Sequence, residues 1–282
     1  MNTFQKILRE KFLLLIIIAI AVQIIFSSCE EVIEINLDDI QQNLVVDGAI
    51  TDKPGVSKVL IGMSENVFKS ESNIKISGAI VSIRDQEGNS DNLVESEKGK
   101  YILHSLKPEI GKTYTLTVVH NGKEYHGVST LNAPMIIDSV KFNRVYEYST
   151  WGISFYKYKI RIYIANKPDV DEYCLIKLKD AGGKYRGAVI VYQDKFANNN
   201  QIILEETISE FQKGEKIIIE LFSIDKNSYD YFYQLNELSA NSGVELPDIL
   251  NYKDYNPKSN LSGGALGCFY TYSLSSLSTT VK

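Results

Sequence analysis

The 282-residue sequence predicts a mainly β protein: two β-sandwich-like regions, immunoglobulin- or transthyretin-like, with one short helix in the second. Three observations predict it. The chain has 18 Tyr and 11 Phe against only 6 Pro, with 44% hydrophobic and 23% charged residues. Aromatic and β-branched side chains suit a pleated, half-buried surface, and this apolar fraction is enough to bury a core. Short apolar runs are separated by turn residues at intervals of about 8–12 positions, the spacing of sandwich strands. Finally, Tyr156, Tyr158, Ile160, Ile162 and Ile164 alternate with Lys157, Lys159, Arg161 and Tyr163. Period two marks a strand with one buried face.

Residues 1–28 have the pattern of a signal peptide. Lys6, Arg9 and Lys11 precede an apolar run of 15 residues, Phe12 to Phe26, and then come Ser27, Ser28 and Cys29. A basic segment, an apolar segment and small residues before a cleavage point form the order that export requires. The run falls short of the ~20 residues that span a bilayer. Ser-Ser-Cys after such a run resembles a bacterial lipobox, with Phe26 where Leu is usual, a relaxed form typical of Bacteroidetes lipoproteins. That resemblance implies diacylglycerol on the Cys29 sulfur, cleavage before it and acylation of the new amine. Residues 29–43 then read as a lipidated, acidic tether. Glu30 and Glu31 resemble the export signals that carry such lipoproteins to the outer cell face. The expected location is the outer membrane, in its periplasmic leaflet or at the cell surface.

Residues 44–133 read as the N-terminal sandwich. Strand-like runs occur at Leu44–Val46, Ala49–Thr51, Lys58–Ile61, Ala79–Ile83, Gly99–His104, Thr113–Val119 and Glu124–Ser129. Asn121-Gly122 lies between the last two. Such a pair signals a tight hairpin, because both central residues of a type I′ turn need positive φ. Asn132-Ala133-Pro134 marks the boundary, since Pro134 cannot donate to a ladder.

Residues 134–282 form the second, β-rich region. Strands are expected at Ile136–Phe142, over the alternating run from Tyr156 to Ile164 within a long aromatic stretch from Tyr146 to Tyr163, and over 173–179, 188–192, 201–204 and 216–224; residues 244–282 read as loop-rich with a short strand-like finish. Between 225 and 240, Tyr229, Phe232, Tyr233, Leu235 and Leu238 recur at helical spacing, giving a helix near 226–240. Asn227 or Ser228 is the expected cap and Gly243 the expected stop. Tyr231 lies off the apolar stripe and is expected to be exposed.

No residues with catalytic spacing stand out. The sequence lacks a Gly-x-Ser-x-Gly elbow, a phosphate-binding loop and a dinucleotide fingerprint. His120 and His126 flank a hairpin without a third ligand, so no metal site is expected. Asp85 to Asp91 alternates oxygen-bearing residues, but its glycine and acids do not fit a calcium loop, and it reads as a solvated turn. Cys174 and Cys268 read as small buried hydrophobes. No cofactor is expected. The net charge of −5 and the absence of a basic stripe disfavour nucleic acid. The surface candidate is the aromatic stretch holding Tyr146, Tyr148 and Trp151, because exposed aromatics dominate interface hot spots. Its bland alternative is a core strand pair.

Several segments, in order, resemble the Bacteroidetes lipoproteins classed as domain of unknown function 4249. They are Cys29 to Ile35, Leu44 to Asp52, Ile76 to Asp85 with Gly88-Asn89, Gly99 to Tyr101, Gly111 to Leu116, Ile137 to Val140, and Asn260 to Gly267. Ala49 stands where the family usually has an aromatic, and Cys268 separates Gly267 from Phe269 where a Gly-Phe pair is usual. The resemblance implies an all-β outer-membrane lipoprotein, often encoded beside a TonB-dependent transporter, with no catalytic residues to carry over. The expectation is a non-enzymatic accessory or binding protein, anchored in lipid through Cys29, that partners such a transporter or its cargo. A surface adhesin binding glycans, and a hydrolase with a dispersed site, are the alternatives.

Overall fold

The structure is a computed structural model, which describes residues 12, 42–64, 74–151, 153–167, 170–194, 201–208, 211–241 and 257–282. Cys29, the leader apart from Phe12 and the tether to residue 41 lie outside these, as does Gly243, the expected stop of the helix.

The first strand, β1 (Leu44–Thr51), is a single run where the sequence suggests two. Its odd and even positions serve different cores. It pairs antiparallel with β2 (Lys58–Met63) on one edge. On the other it pairs parallel with the last strand, β16 (Leu266–Thr280). That union of the first and last strands described organises residues 42–282. β16 is 15 residues long. Its first half pairs with β1, Val45 with Leu266 through Thr51 with Tyr272. Its second half pairs antiparallel with β15 (Lys216–Ile224), from Ser223 with Ser273 to Lys216 with Thr280. Beyond β15 lie β12 (Tyr173–Asp180) and β13 (Tyr185–Gln193). Beyond β2 lie β7 (Lys100–Ile102) and β6 (Val94–Glu97), with β3 (Ile74–Lys75) also on β2. The result is one nine-stranded sheet that crosses the expected boundary at 133/134.

Two smaller sheets pack on the same side of this sheet. One contains β5 (Ser90–Asn92), β4 (Ile80–Asp85), β8 (Thr113–His120) and β9 (Lys123–Thr130), in that order. Between it and β1–β2 lies a core of Val46, Ile50, Val59, Val81, Ile83, Leu116 and Val118, into which the far end of the chain inserts Leu261, Ala265 and Phe269. The other contains β10 (Ile137–Thr150), β11 (Ile153–Ala165) and β14 (Gln201–Ile208). Its Ile160, Ile162, Ile164, Ile202 and Leu204 pack on Cys174, Ile176, Ile217, Ile219 and Leu221 of the long sheet. Fully burying each such aliphatic side chain stabilises the fold by about 1.5–3 kcal/mol. The architecture is thus mainly β and sandwich-like, with two cores sharing one sheet. Residues Gln42–Lys282 form one compact unit.

The segment at the expected boundary is stitched rather than free. The Thr130 amide donates to Asp225 Oδ2 at 2.9 Å, Asn132 Nδ2 to the Ile224 carbonyl at 2.9 Å, and the Met135 amide to Ser223 Oγ at 2.8 Å. These bonds satisfy polar groups that a buried linker would otherwise leave orphaned.

The helix, α1 (Lys226–Asn241), packs on the opposite side of the long sheet, where Tyr229 meets Ala49, Leu175, Phe222, Ile224 and Tyr272. Its cap is Asp225, not Asn227 or Ser228. Asp225 Oδ1 accepts from the Ser228 amide at 2.9 Å and from Ser228 Oγ. A carboxylate two or three residues before an amide of the first turn satisfies one of the helix's orphan donors. Ser228 is itself fully buried, which suits a partner of the cap rather than the cap. Tyr231 also departs from expectation. It is half-buried on the side facing Cys268 and Asp47, where burial pushes its phenol up to about 12. Tyr233 is the exposed one, at 46%.

The remaining sequence readings of this kind are structural. Asn121 and Gly122 both have positive φ, 49° and 75°, in the β8–β9 turn. Asp85 accepts from the amides of Glu87 and Asn89 and from Asn89 Nδ2, closing the solvated turn. Cys174 and Cys268 are buried free thiols.

Candidate functional site

The aromatic stretch from Tyr146 to Tyr158 forms the distal part of the β10–β11 hairpin. β11 alternates strictly, so Tyr158, Ile160, Ile162 and Ile164 turn inward and are buried. Lys159 and Arg161 turn outward, and both pair with Glu205 of β14. The third strand gives out early. Among the described residues, β14 pairs with β11 from Tyr158 to Ala165. β10 and β11 go on pairing with each other as far as Thr150 with Ile153. Among the described residues the segment beyond Val145 is therefore a two-stranded ribbon, roughly 20 Å long past the last β14 pair at the ~3.4 Å rise of an antiparallel strand.

Two features shape this arm. The register shifts between Tyr146 and Tyr148, so Glu147 is the extra residue of a bulge. Bulges sharpen the local twist and re-aim the strand. At the tip, Trp151 is 97% exposed and holds φ at +50°. A bulky residue with positive φ is an outlier, because Cβ then crowds the backbone. Here the demand of a tight hairpin turn overrides that cost. Val145, at the base of the ribbon, is 42% exposed.

Of the three predicted site residues, Trp151 stands alone at the tip. Tyr146 and Tyr148 are backbone members of β10, opposite Tyr156 and Phe155 respectively; their side chains lie outside the described residues. The arm thus carries an aromatic at its turn and aromatics in register along its length. Phe155 and Tyr156 belong to the same pattern; the period-two reading took Tyr156 as a strand position and did not single out Phe155.

Among the described residues no three His, Cys, Asp or Glu side chains gather to hold a metal. His126 Nδ1 lies 3.1 Å from Thr117 Oγ1 and its Nε2 is 3.6 Å from Glu124, an exposed polar face. The more strongly shifted groups have structural explanations. Burial raises the Cys174 and Cys268 thiols and the Tyr270 phenol. Lys112 is raised by hydrogen bonds from its ammonium to Glu87 and Glu109. Lys179, Glu220 and Tyr185 satisfy one another, with Lys179 Nζ 2.6 Å and Tyr185 Oη 2.9 Å from the carboxylate.

Comparison with known proteins gives a family. The profile described as Domain of unknown function (DUF4249) matches residues 30–278. No curated protein matches. Among solved structures, a two-domain fibronectin type III segment from chicken tenascin aligns at 13% identity over 65% of this chain and 91% of its own. Its TM-score of 0.20 is too low to carry an argument about fold or function.

Proposed function

The chain belongs to the DUF4249 family, and from that premise we propose that it is a lipoprotein of the outer membrane of a Bacteroidetes cell that acts by binding, not catalysis. Cys29 carries the lipid. One acyl chain binds a membrane only marginally, whereas several on one residue hold it stably. The partner is a TonB-dependent transporter or the cargo delivered to it.

The observation that carries the binding role is the β10–β11 arm with Trp151 at its tip. An indole with 97% of its surface in water, at a strained turn, is part of neither core. Burial of an aromatic of this size against a partner stabilises a complex by about 1.5–3 kcal/mol, the scale of a hot spot.

The test is purification of tagged full-length protein from its native membrane in mild detergent, beside Cys29→Ser and Trp151→Ala. A transporter recovered with wild type and depleted in both variants supports the reading. Equal recovery with Trp151→Ala removes the arm from it, and recovery of no partner by the anchored protein overturns it.

A further inference from the structure

A second site lies far along the chain from the arm, beside the start of α1. A cleft of about 520 Å³ opens between the helix and the ends of β12 and β13. That volume falls within the ~300–1,000 Å³ of small-molecule sites. One wall is aromatic. The Tyr173 and Tyr229 rings lie 5.2 Å apart, and Tyr229 and Tyr233 stack at 5.8 Å with planes 28° apart. Tyr229 is the buried anchor of this row, and Tyr233 is its exposed end.

The rest of the lining is polar, and it offers both donors and acceptors. Lys226 Nζ is held 2.7 Å from Asp230. Asp194 Oδ1 accepts from the Glu172 amide at 3.0 Å. Among the described residues, the other oxygen of Asp194 and both oxygens of Asp171 accept from no protein donor. The Gln193 amide completes the rim. A second cleft, of about 340 Å³, begins on the other side of Asp230 and Tyr233 and is lined by Asn227, Gln234 and Asn260 among others. Tyr233 and Asp230 therefore form a ridge between two polar clefts.

We propose that this cleft binds a neutral oligosaccharide, with a sugar ring stacked on the tyrosine wall and its hydroxyls bonded to Asp171 and Asp194. A sugar suits the lining because each hydroxyl both donates and accepts. Its donors meet the carboxylates, while its oxygens meet Lys226 and Gln193. The axial and equatorial C–H groups of a pyranose supply the apolar patch that an aromatic ring covers. Lys226 is matched by Asp230, so an organic cation would answer only the carboxylates of Asp171 and Asp194 and would leave the Gln193 amide without a partner. The continuation across Tyr233 into the second cleft suits a chain of sugars over a single ring.

The test is calorimetric titration of the full-length protein, in a sugar-free detergent, with maltohexaose, cellohexaose, xylohexaose, mannohexaose and chitohexaose, and with octalysine as a cationic probe. The expected result is saturable binding of at least one oligosaccharide. Affinity should fall about tenfold, equivalent to ~1.4 kcal/mol, in Tyr233→Ala and in Asp171→Asn. Asp171 is exposed, so Asp171→Asn keeps the wild-type melting temperature and reports on binding alone; Tyr233→Ala also gives up the stack on Tyr229, so its titration is run well below its own melting temperature. No saturable binding to any of the sugars overturns the proposal. So does sugar binding that both variants retain, or binding of octalysine in place of the sugars.

Discussion

Asn260 completes the open edge of β16 at Phe269. Its Nδ2 donates to the Phe269 carbonyl at 2.6 Å and its Oδ1 accepts from the Phe269 amide at 2.9 Å. One side chain thereby does what a paired strand would do. The need arises because β16 changes partners midway. β1 covers one edge of its first half, and β15 reaches the opposite edge only from Ser273 onward. Phe269 sits in the uncovered stretch and is fully buried, so its backbone groups have no water to turn to.

Replacing Asn260 with Ala removes both bonds and strands a buried amide and carbonyl. The expected loss is about 1–3 kcal/mol, since an unsatisfied buried polar group costs its full desolvation. Chemical denaturation would measure it. Asn260→Asp is expected to be worse, because its carboxylate would face the Phe269 carbonyl with no proton to donate. A midpoint unchanged from wild type in both variants would show that the edge finds water instead.

Gly267 permits the parallel union of β1 and β16. It holds φ at +92°, and a Cβ built there would lie 2.1 Å from the Val46 carbonyl oxygen. Gly267→Ala combines backbone strain with a clash against a main-chain atom that cannot rotate away. It is expected to destabilise by more than about 3 kcal/mol. Melting temperature reads the effect directly. Gly264→Ala gives the contrast, because it shares the positive φ but has open space around its Cβ.

Asp91 predicts a pH dependence. Its Oδ2 accepts from the backbone amides of His104, Ser105 and Leu106, and so fastens the loop after β7. Burial pushes its carboxyl up, but those amide bonds outweigh burial and hold it below the ordinary 3.8. A folded value below the unfolded one means the contribution is complete above about pH 3.8 and is lost as pH falls through the lower, folded value. Asp91→Asn should lower stability at pH 7 by about 1–2 kcal/mol. It should also flatten the acid limb of the stability curve, as denaturation midpoints between neutral and strongly acid pH would show.

Asp225 joins two elements through its two oxygens. Oδ1 caps α1, and Oδ2 accepts from the Thr130 amide at the end of β9. Asp225→Ala is expected to cost about 1–2 kcal/mol for the cap alone. Hydrogen exchange would separate the two effects. Faster exchange in the first turn of α1 reports the lost cap, and faster exchange at Thr130 reports the lost tie to the first core.

Much of this protein was legible in local pattern. The strand runs, the helix after β15 and the Asn121-Gly122 turn all depend on residues a few positions apart. Periodicity and turn chemistry operate on that scale. The aromatic run at Tyr146, Tyr148 and Trp151 was visible for the same reason. Its projection from the sheet was not, because that depends on where β14 stops pairing with β11. The tyrosine-lined cleft was invisible too. Its wall joins Tyr173, at the start of a strand, to Tyr229 and Tyr233 on a helix, and no spacing in the sequence links them.

The sequence by itself determined most of the strands, the helix after β15 and the Asn121-Gly122 turn, since backbone sterics and alternating burial act between near neighbours; the length of β16 it did not determine. Only the tertiary structure decided that β1 and β16 pair in parallel, that two cores share one sheet, and that Tyr233 rather than Tyr231 meets water. Those outcomes depend on which strand edges and faces remain open after distant segments meet. A period-two pattern shows that one face is buried, and the packing of remote partners decides against what.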